Sequence, residues 1–278
     1  MAQITGIFAA SHTPVMLNFP QAIAEDLRSE VFDAFRDLGQ AIAEARPQAL
    51  VVLSDDHVHN FFLNNLPSLC IGAAEAYPTP VEHWLKADKR VLPGDAQLGA
   101  YLLQHAMDHD FDPSLSMELT LDHGILTPLE LAGVARELPV VPILINCVQP
   151  PLPSMARCHA FGRWLGQALR AYGGLERVAI LATGGLSHDL ATPRMGLVNE
   201  DFDQRFLELL EAGDEAGAVA HAREQVHLAG NGGEEVRMWL AALGAAAGAP
   251  FQRRLYRAVS GWYTGIGLGQ WSCEPPRP

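Results

Sequence analysis

ALVVLSDDH, residues 49–57, is the stretch of sequence on which the predicted fold depends. Its first five residues are apolar, and they give way abruptly to a serine, two aspartates and a histidine. A short apolar run of this kind predicts a strand that is buried on both faces, as in the sheets of α/β proteins. Ligands and catalytic groups in such folds gather just beyond the carboxyl ends of the strands. We therefore expect His57 at the sheet edge where chemistry takes place.

Three further segments end in the same way, with a histidine after an apolar run. They are IFAASH, ending at His12, LTLDH, ending at His123, and AILATGGLSH, ending at His188. Imidazoles are common metal ligands and are also suited to proton transfer near neutral pH. Together with His57, these histidines predict a metal site with an acid–base partner.

The start of the chain predicts a strand–helix–strand unit. A strand over Ile4–Ala10 is followed by a helix over Pro20–Arg46, whose apolar residues recur at steps of three or four, and then by the strand that begins at Ala49. The crossover is expected to be right-handed and the two strands parallel. If the strands are neighbours, they lie about 4.8 Å apart and place His12 and His57 at one sheet edge.

The remaining chain continues the alternation of strands and helices. Strands are predicted at 69–72, 115–119, 140–145 and 178–182, and helices at 96–109, 128–137, 154–172, 199–212, 214–227 and 234–247. Residues 75–94 are rich in proline and polar groups and are interpreted as an irregular excursion that forms a wall of the active site. The segment LYRAVSGWYTGIGLG, residues 255–269, is interpreted as a strand plus a turn.

Neither an internal repeat nor a linker long enough to separate two domains is found in the sequence. We therefore predict a single domain over residues 1–278, with an α/β fold and a central mixed, mostly parallel sheet flanked by helices. Of the 278 residues, 49% are apolar and 18% are charged, which is typical of a globular protein with a large core.

Charge and cysteine usage exclude several classes of protein. The net charge of -13 and the lack of any Lys/Arg-rich run argue against nucleic acid as a partner. The scattered cysteines contain no C-x-x-C pair, so neither a zinc finger nor a disulfide framework is indicated. No apolar run reaches the roughly 20 residues that span a bilayer, and the first residues do not resemble a secretion signal. We expect a cytoplasmic protein that does not bind membranes.

The residue types favour an open metal site. A metal that binds both a substrate and dioxygen is commonly held on one face by two histidines and one carboxylate. His12 and His57 are the candidate imidazoles, and the carboxylate is expected from a different element, such as the helix that begins near Glu235. On the residues alone, His59 is an alternative to His57, since alternate residues of an extended chain point the same way. Glu234 is likewise an alternative to Glu235. Either acid could instead be present for a structural reason, because the helix dipole favours negative charge at a helix N-terminus.

A set of motifs, in order and with characteristic spacing, extends over nearly the whole chain. They are SHTP at Ser11, DDH at Asp55, LDHG at Leu121, TGGLSH at Thr183, GLVNEDFD at Gly196 and EEVRMWLAALGA at Glu234. With these motifs the chain resembles the class III extradiol ring-cleavage dioxygenases, such as the protocatechuate 4,5-dioxygenase β-subunit and the 2,3-dihydroxyphenylpropionate dioxygenases.

The resemblance implies a function and a set of site residues. It implies non-haem Fe(2+), held by His12, His57 and Glu235, and extradiol (meta) cleavage of a catechol with incorporation of both atoms of O2. It also implies that His188 is the acid–base residue and that His123, the second catalytic histidine, lines the substrate pocket.

The expected partners are a catecholic small molecule and O2. Both branches of the family act on catechols with a carboxylated substituent, so such a substrate is expected, with an arginine, a polar side chain or a helix N-terminus as its anchor. We also expect a homo-oligomer, and a small α-subunit is an additional candidate partner. A metal-dependent hydrolase and a non-catalytic binding module on the same fold are the alternative functions.

The sequence leaves two roles open for the two aspartates before His57. Asp55 and Asp56 are each expected either to orient a ligand histidine or to cap a turn.

Overall fold

A central eight-stranded sheet organises residues 1–273, the part of the chain that the computed structural model describes. The strands are β1 (Gln3–Ala10), β2 (Ala49–Ser54), β3 (Leu69–Gly72), β4 (Ala76–Thr79), β5 (Arg90–Pro93), β6 (Ser114–Ser116), β7 (Val140–Ile145), β8 (Arg177–Thr183), β9 (Phe251–Val259) and β10 (Thr264–Trp271). Their order in the large sheet is β6-β3-β7-β2-β8-β1-β10-β9, while β4 and β5 form a separate pair.

Helices cover both faces of the large sheet. They are α1 (Val15–Asn18), α2 (Glu25–Glu44), α3 (Ala96–Met107), α4 (His123–Ala132), α5 (Met155–Ala171), α6 (Glu200–Glu211), α7 (Glu215–Gln225) and α8 (Val236–Ala246), and short 3-10 turns lie at Pro20–Ala22, Val226–Leu228, Gly232–Glu235 and Ser260–Trp262. Alternate residues of β2 enter two cores: Val51 and Leu53 pack on the side of α5 and α8, and Leu50 and Val52 on the side of α2 and α4. The strand is therefore buried on both faces, as its sequence predicts.

The α/β fold class with a mixed, mostly parallel sheet is confirmed. The assignment of residues 1–278 to one catalytic domain stays a prediction, and its last five residues lie outside the described part. Among the described helices, none is long and apolar enough to cross a bilayer.

The strands β1 and β2 are parallel but are not neighbours. Each pairs in parallel with β8, which lies between them. The Thr183 hydroxyl at the end of β8 donates to the Ser54 hydroxyl, 2.9 Å away, and lies 3.3 Å from Nδ1 of His12. The two histidines thus reach one sheet edge across an intervening strand, which leaves room for a site above β8.

Helix boundaries differ from the sequence prediction at two places. The helix predicted over Pro20–Arg46 is a 3-10 turn followed by α2, because Ile23 and Ala24 have extended backbone. The helix predicted over 128–137 instead spans His123–Ala132, since the Asp122 side chain caps it and Pro128 is tolerated inside it. His123 therefore begins a helix and does not end a strand.

Two segments contain more sheet than predicted, and one contains less. The 75–94 excursion holds the antiparallel pair β4–β5, in which Tyr77 and Thr79 alternate inward, so the prediction of an irregular segment is wrong there. The last segment forms the antiparallel hairpin β9–β10, with its turn at Tyr263 in the left-handed region. The strand predicted at 115–119 is shortened to β6 at the sheet edge.

Close helix contact gives a first test of the packing. An added Cβ at Gly162 of α5 would lie 1.8 Å from the carbonyl oxygen of Ala241 in α8. Gly162→Ala is expected to lower the free energy of unfolding by about 1–3 kcal/mol, because the two backbones must move apart. Urea unfolding measures this effect. Gly173→Ala is the control, since a Cβ there meets nothing within 4 Å, and equal midpoints for the two variants would contradict the packing argument.

Candidate metal centre

Three side chains expected to bind a metal meet at the carboxyl edge of the sheet. His12 follows β1, His57 follows β2, and Glu235 ends the 3-10 turn before α8. Nε2 of His12 lies 3.2 Å from one Glu235 carboxylate oxygen, and Nε2 of His57 lies 3.8 Å from the other. His12 and Glu235 are buried and His57 is partly buried.

Asp55 adds a second carboxylate to this group. Its oxygens lie 4.0 Å from Nε2 of His12 and 3.5 Å from Nε2 of His57. One ligand atom from each of these residues and from Glu235 lies within 4.8 Å of the others. Burial raises the pKa of Asp55 to about 6. Its neighbour Asp56 instead caps the following turn by accepting from the backbone N–H groups of residues 59–61.

The donor set fits a divalent metal ion. Both oxygens of Asp55 are buried and lack a hydrogen-bond partner among the described residues, an arrangement that is costly unless a cation compensates it. Two imidazoles and two carboxylates within one small volume suit first-row transition metals. Asp55 therefore faces the centre. It does not cap a turn, because its oxygens accept no hydrogen bond from the described residues.

His57 is oriented by Asp122. Oδ2 of Asp122 accepts from the backbone N–H of His57 at 3.0 Å and lies 2.9 Å from its ring Nδ1. Burial alone would raise the pKa of Asp122, but the contacts with His57 hold that pKa well below its usual range. Because an ionised carboxylate only accepts, Nδ1 carries the proton and Nε2 faces the centre.

The TGGLSH segment approaches Glu235 closely enough to require glycine. The Gly185 backbone N–H donates to Oε2 of Glu235 at 2.6 Å, and an added Cβ at Gly184 would lie 2.8 Å from the same oxygen. Gly184 also has φ +105, which side-chain-bearing residues rarely adopt. Its carbonyl accepts from the Trp239 indole at 2.9 Å. The glycine pair therefore holds the Glu235 carboxylate in place.

His188 is buried beside the same carboxylate. Its Nδ1 lies 2.9 Å from the Leu186 carbonyl oxygen, and its Nε2 lies 3.5 Å from Oε1 of Glu235. Burial alone would lower the pKa of His188, but the charge of Glu235 outweighs it and raises that pKa. An imidazole whose protonated form is stabilised by a neighbouring carboxylate is suited to acid–base work.

His123 lies against the imidazoles of the centre. Its ring centroid is 4.0 Å from that of His57 and 5.7 Å from that of His12. Burial, and then the charge of His57, lower the pKa of His123 to about 4, so its ring is neutral near pH 7. The structure thus brings all five predicted site residues together.

The two alternative ligands are engaged elsewhere. Nε2 of His59 lies 3.3 Å from Oε1 of Glu82, a residue that the sequence did not indicate. Glu234 is partly buried and pairs with Arg237. Each contact turns the side chain toward a partner outside the group of four donors.

A small cavity opens at the centre. It has a volume of about 110 Å³ and is lined by His12, Thr13, Val15, His57, His123, Gly185, His188, Leu190, Met195, Glu235, Tyr263 and Thr264. None of these lining residues is a lysine or an arginine. A larger groove of about 670 Å³ lies at the opposite end of β1, beside Met1 and Arg170, and contains none of these histidines.

Asp203 supports the segment that carries His188. It accepts from the Ser187 backbone N–H and hydroxyl, each at 2.8 Å, and from the Tyr256 hydroxyl at 2.8 Å. Burial raises the pKa of Asp203 to about 7. Asp203 is the last residue of the GLVNEDFD motif, so the sequence indicated the segment but not the role of this carboxyl group.

Comparison with known proteins agrees with the motifs. Residues 6–267 match the family described as "Catalytic LigB subunit of aromatic ring-opening dioxygenase". The chain is 30% identical to 2,3-dihydroxyphenylpropionate/2,3-dihydroxicinnamic acid 1,2-dioxygenase of Mycolicibacterium gilvum, over 93% of this chain and 95% of that protein. A protein of the same name from Burkholderia vietnamiensis is 30% identical, over 92% of this chain and 94% of that protein.

The fold also has a counterpart among solved structures. The crystal structure of the uncharacterized protein JW3007 from Escherichia coli K12 superposes with a TM-score of 0.62. It covers 96% of this chain and 99% of that one at 19% sequence identity. At this identity the likeness supports the fold alone.

The pKa of Asp203 predicts a pH dependence of stability. The pKa of this carboxyl group is ordinarily 3.8 and is about 7 in the folded protein. Protonated Asp203 therefore stabilises the folded state fully below pH 3.8, and this stabilisation is lost as the pH rises through about 7. Relative to Asp203→Asn, the wild type should lose about 2 kcal/mol of unfolding free energy between about pH 5 and about pH 8. Urea unfolding of both proteins at each pH measures this. A difference that does not change with pH would contradict the assignment.

The donor set predicts which variants lose metal. Glu235→Ala and His57→Ala should each weaken retention of a divalent metal by more than about 100-fold, since loss of a ligand exceeds the loss of a supporting contact. Metal analysis after gel filtration measures the effect. Glu234→Ala and His59→Ala are the matched controls and should keep the metal. Loss with Glu234→Ala but not with Glu235→Ala would show that the ligand is misassigned.

Proposed function

This chain belongs to the LigB family of aromatic ring-opening dioxygenases, and from that premise we propose that it works with iron(II) held by His12, His57 and Glu235. The enzyme is an extradiol ring-cleavage dioxygenase, so its reactants are a catecholic small molecule and O2. The observation that carries the proposal for the site is the meeting of these three side chains with two more buried histidines around one cavity.

The choice of iron rests on the donor chemistry. Two imidazoles and one carboxylate on one face, with positions left open, are the ligand set of non-haem iron(II) oxygenases. Bound iron(II) supplies the open positions at which a catechol and O2 come into contact, together with the redox activity that the reaction needs. The orphaned Asp55 carboxylate adds negative charge that favours retention of a dication.

His188 is proposed as the acid–base residue. The Leu186 carbonyl can only accept, so Nδ1 of His188 carries a proton and Nε2 is the atom that exchanges protons with the substrate. Nε2 takes a proton from a catechol hydroxyl and returns it when the ring opens. Histidine serves in both directions because the reference pKa of an imidazole, about 6.5, lies near working pH, and contact with Glu235 stabilises the protonated form between the two transfers.

His123 is proposed as the second catalytic histidine. Its neutral ring faces the same cavity from the start of α4. A neutral imidazole offers one acceptor nitrogen, which can bind a hydroxyl of the catechol without adding positive charge to the site.

For the substrate we propose a catechol with a carboxylated side chain. The two relatives from Mycolicibacterium and Burkholderia are named for dihydroxyphenylpropionate and dihydroxycinnamic acid, both carboxylated catechols. Since no lysine or arginine lines the cavity, the carboxylate is anchored by neutral donors such as the hydroxyls of Tyr263 and Thr264 or lies at the cavity mouth. The homo-oligomer, the small α-subunit and the cytoplasmic location stay predictions.

Oxygen uptake tests the proposed function directly. Protein loaded with iron(II) without air is mixed with O2 and protocatechuate, gallate, dihydroxyphenylpropionate or plain catechol. A carboxylated catechol should turn yellow as its ring opens, with matching oxygen consumption. Preference for plain catechol would overturn the carboxylate proposal. Activity that requires zinc and no O2 would favour the metal-dependent hydrolase, and metal binding without turnover of any compound would favour a binding module.

The role of His188 gives a separate prediction. His188→Ala should keep its iron and still bind catechol, while turnover falls by a factor of about 10² to 10⁴, the usual contribution of acid–base catalysis. Metal analysis and single-turnover kinetics measure the two effects. If this variant loses its iron instead, His188 is a ligand and the proposed triad is wrong.

A further inference from the structure

Glu82 is a buried carboxylate in the 80–89 loop that joins β4 to β5. Its side chain is fully buried, and Oε1 accepts from the backbone N–H of His123 at 3.0 Å and lies 2.5 Å from the ring Nδ1 of His123. Nε2 of His59 lies 3.3 Å from the same oxygen. Oε1 of Glu82 thus contacts two imidazoles and one backbone amide.

The charge state of Glu82 determines where the His123 proton lies. Burial alone would raise the pKa of Glu82, but the hydrogen bonds from His123 outweigh it and lower that pKa. An ionised carboxylate can only accept hydrogen bonds, so Nδ1 of His123 must be the donor. In the Nδ1–H tautomer that these contacts favour, Nε2 carries a lone pair and no proton.

We propose that Glu82 is a positioning residue that holds His123 in the Nδ1–H tautomer, so that Nε2 accepts a hydrogen bond from a hydroxyl of the bound catechol. The tautomer follows from the described contacts alone, whereas the catechol contact rests on the proposed function.

The arrangement repeats a pattern found at the other histidines of the site. Asp122 holds Nδ1 of His57 and the Leu186 carbonyl holds Nδ1 of His188, so each ring directs Nε2 inward. Glu82 does the same for His123 from a different part of the chain. A carboxylate bound to Nδ1 also strengthens Nε2 as an acceptor, because it stabilises positive charge on the ring.

A second metal ion is the competing explanation of this cluster. Ligand atoms of His59, Glu82, Asp122 and His123 lie within 4.8 Å of one another. However, Asp122 already accepts from His57 through Oδ2 and from the Gly124 N–H through Oδ1. The short contact between Glu82 and Nδ1 of His123 also requires a proton where a metal would bind. The contacts of Glu82 Oε1 are therefore explained by hydrogen bonding, whereas Oε2 is buried without a partner among the described residues, so the metal content of the wild type tests for a second ion.

Nitrogen-15 NMR of the histidine rings tests the tautomer without relying on activity. The protein is labelled at histidine and loaded with diamagnetic zinc, and the His123 signals are identified by their loss in His123→Phe. In the wild type and in Glu82→Gln, whose amide oxygen still accepts, Nδ1 should be protonated. In Glu82→Ala the Nε2–H form should appear. A wild-type ring protonated at Nε2, or no change in Glu82→Ala, would overturn the proposal.

Kinetics and metal content complete the test. Glu82→Ala should raise the KM for the catechol about 2- to 10-fold, the range for one hydrogen bond between neutral groups, with a smaller change in kcat. Glu82→Gln should recover most of the loss, and Glu75→Ala, an exposed acid of the same excursion, should have no effect. An unchanged KM in Glu82→Ala would overturn the catechol contact.

Metal content and activity, taken together with the NMR result, distinguish two further outcomes. Two metal ions per wild-type chain, reduced to one in Glu82→Gln, would overturn the positioning role in favour of a second metal site. A protein inactive on all catechols, with the expected tautomers in NMR, would contradict the proposed function while supporting the role of Glu82 in holding His123.

Discussion

Buried negative charge at the carboxyl edge of the sheet is the constraint on which the rest of the site depends. Asp55, Asp122 and Glu235 are all removed from water, and burial of an uncompensated carboxylate is costly. Asp122 is compensated by His57 and Glu235 by His12 and His188, whereas the oxygens of Asp55 have no hydrogen-bond partner among the described residues. Such an arrangement is stable in the folded protein when a cation completes it, so the charge balance itself points to a metal centre.

The central position of β8 determines how the site is built. It separates β1 from β2, and in the segment after it Gly184 and Gly185 approach Glu235, the residue directly before α8. The same segment then places His188 on the far side of that carboxylate. A single loop therefore donates a hydrogen bond to the Glu235 carboxylate and places an imidazole beside it, so the positions of these two groups depend on each other.

Each histidine around the cavity is held through its other ring nitrogen by a hydrogen-bonding partner, which for three of the four comes from a distant part of the chain. The partners are Thr183 for His12, Asp122 for His57, Glu82 for His123 and the Leu186 carbonyl for His188. Such partners select a tautomer and restrict rotation of the ring, so the site is organised before substrate binds. The rest of the lining combines apolar side chains with the hydroxyl-bearing residues Thr13, Tyr263 and Thr264, so the ionisable groups near neutral pH are the imidazoles and Glu235.

The sequence by itself determined the α/β class, the candidate residues and the central strands β1, β2, β3, β7 and β8, because a buried strand needs an apolar run and its polar ends mark the functional edge. It predicted that His12, His57, His123, His188 and Glu235 belong to one site. It did not predict that β8 lies between β1 and β2, nor that Glu82 reaches His123 from the excursion between β4 and β5. Those contacts join residues more than 40 positions apart, and only the packing of the whole chain brings them within hydrogen-bond distance. Local periodicity carries no information about such pairs. Burial of an unpaired charge is costly, but which charges are buried and which groups pair with them is determined only in the folded protein.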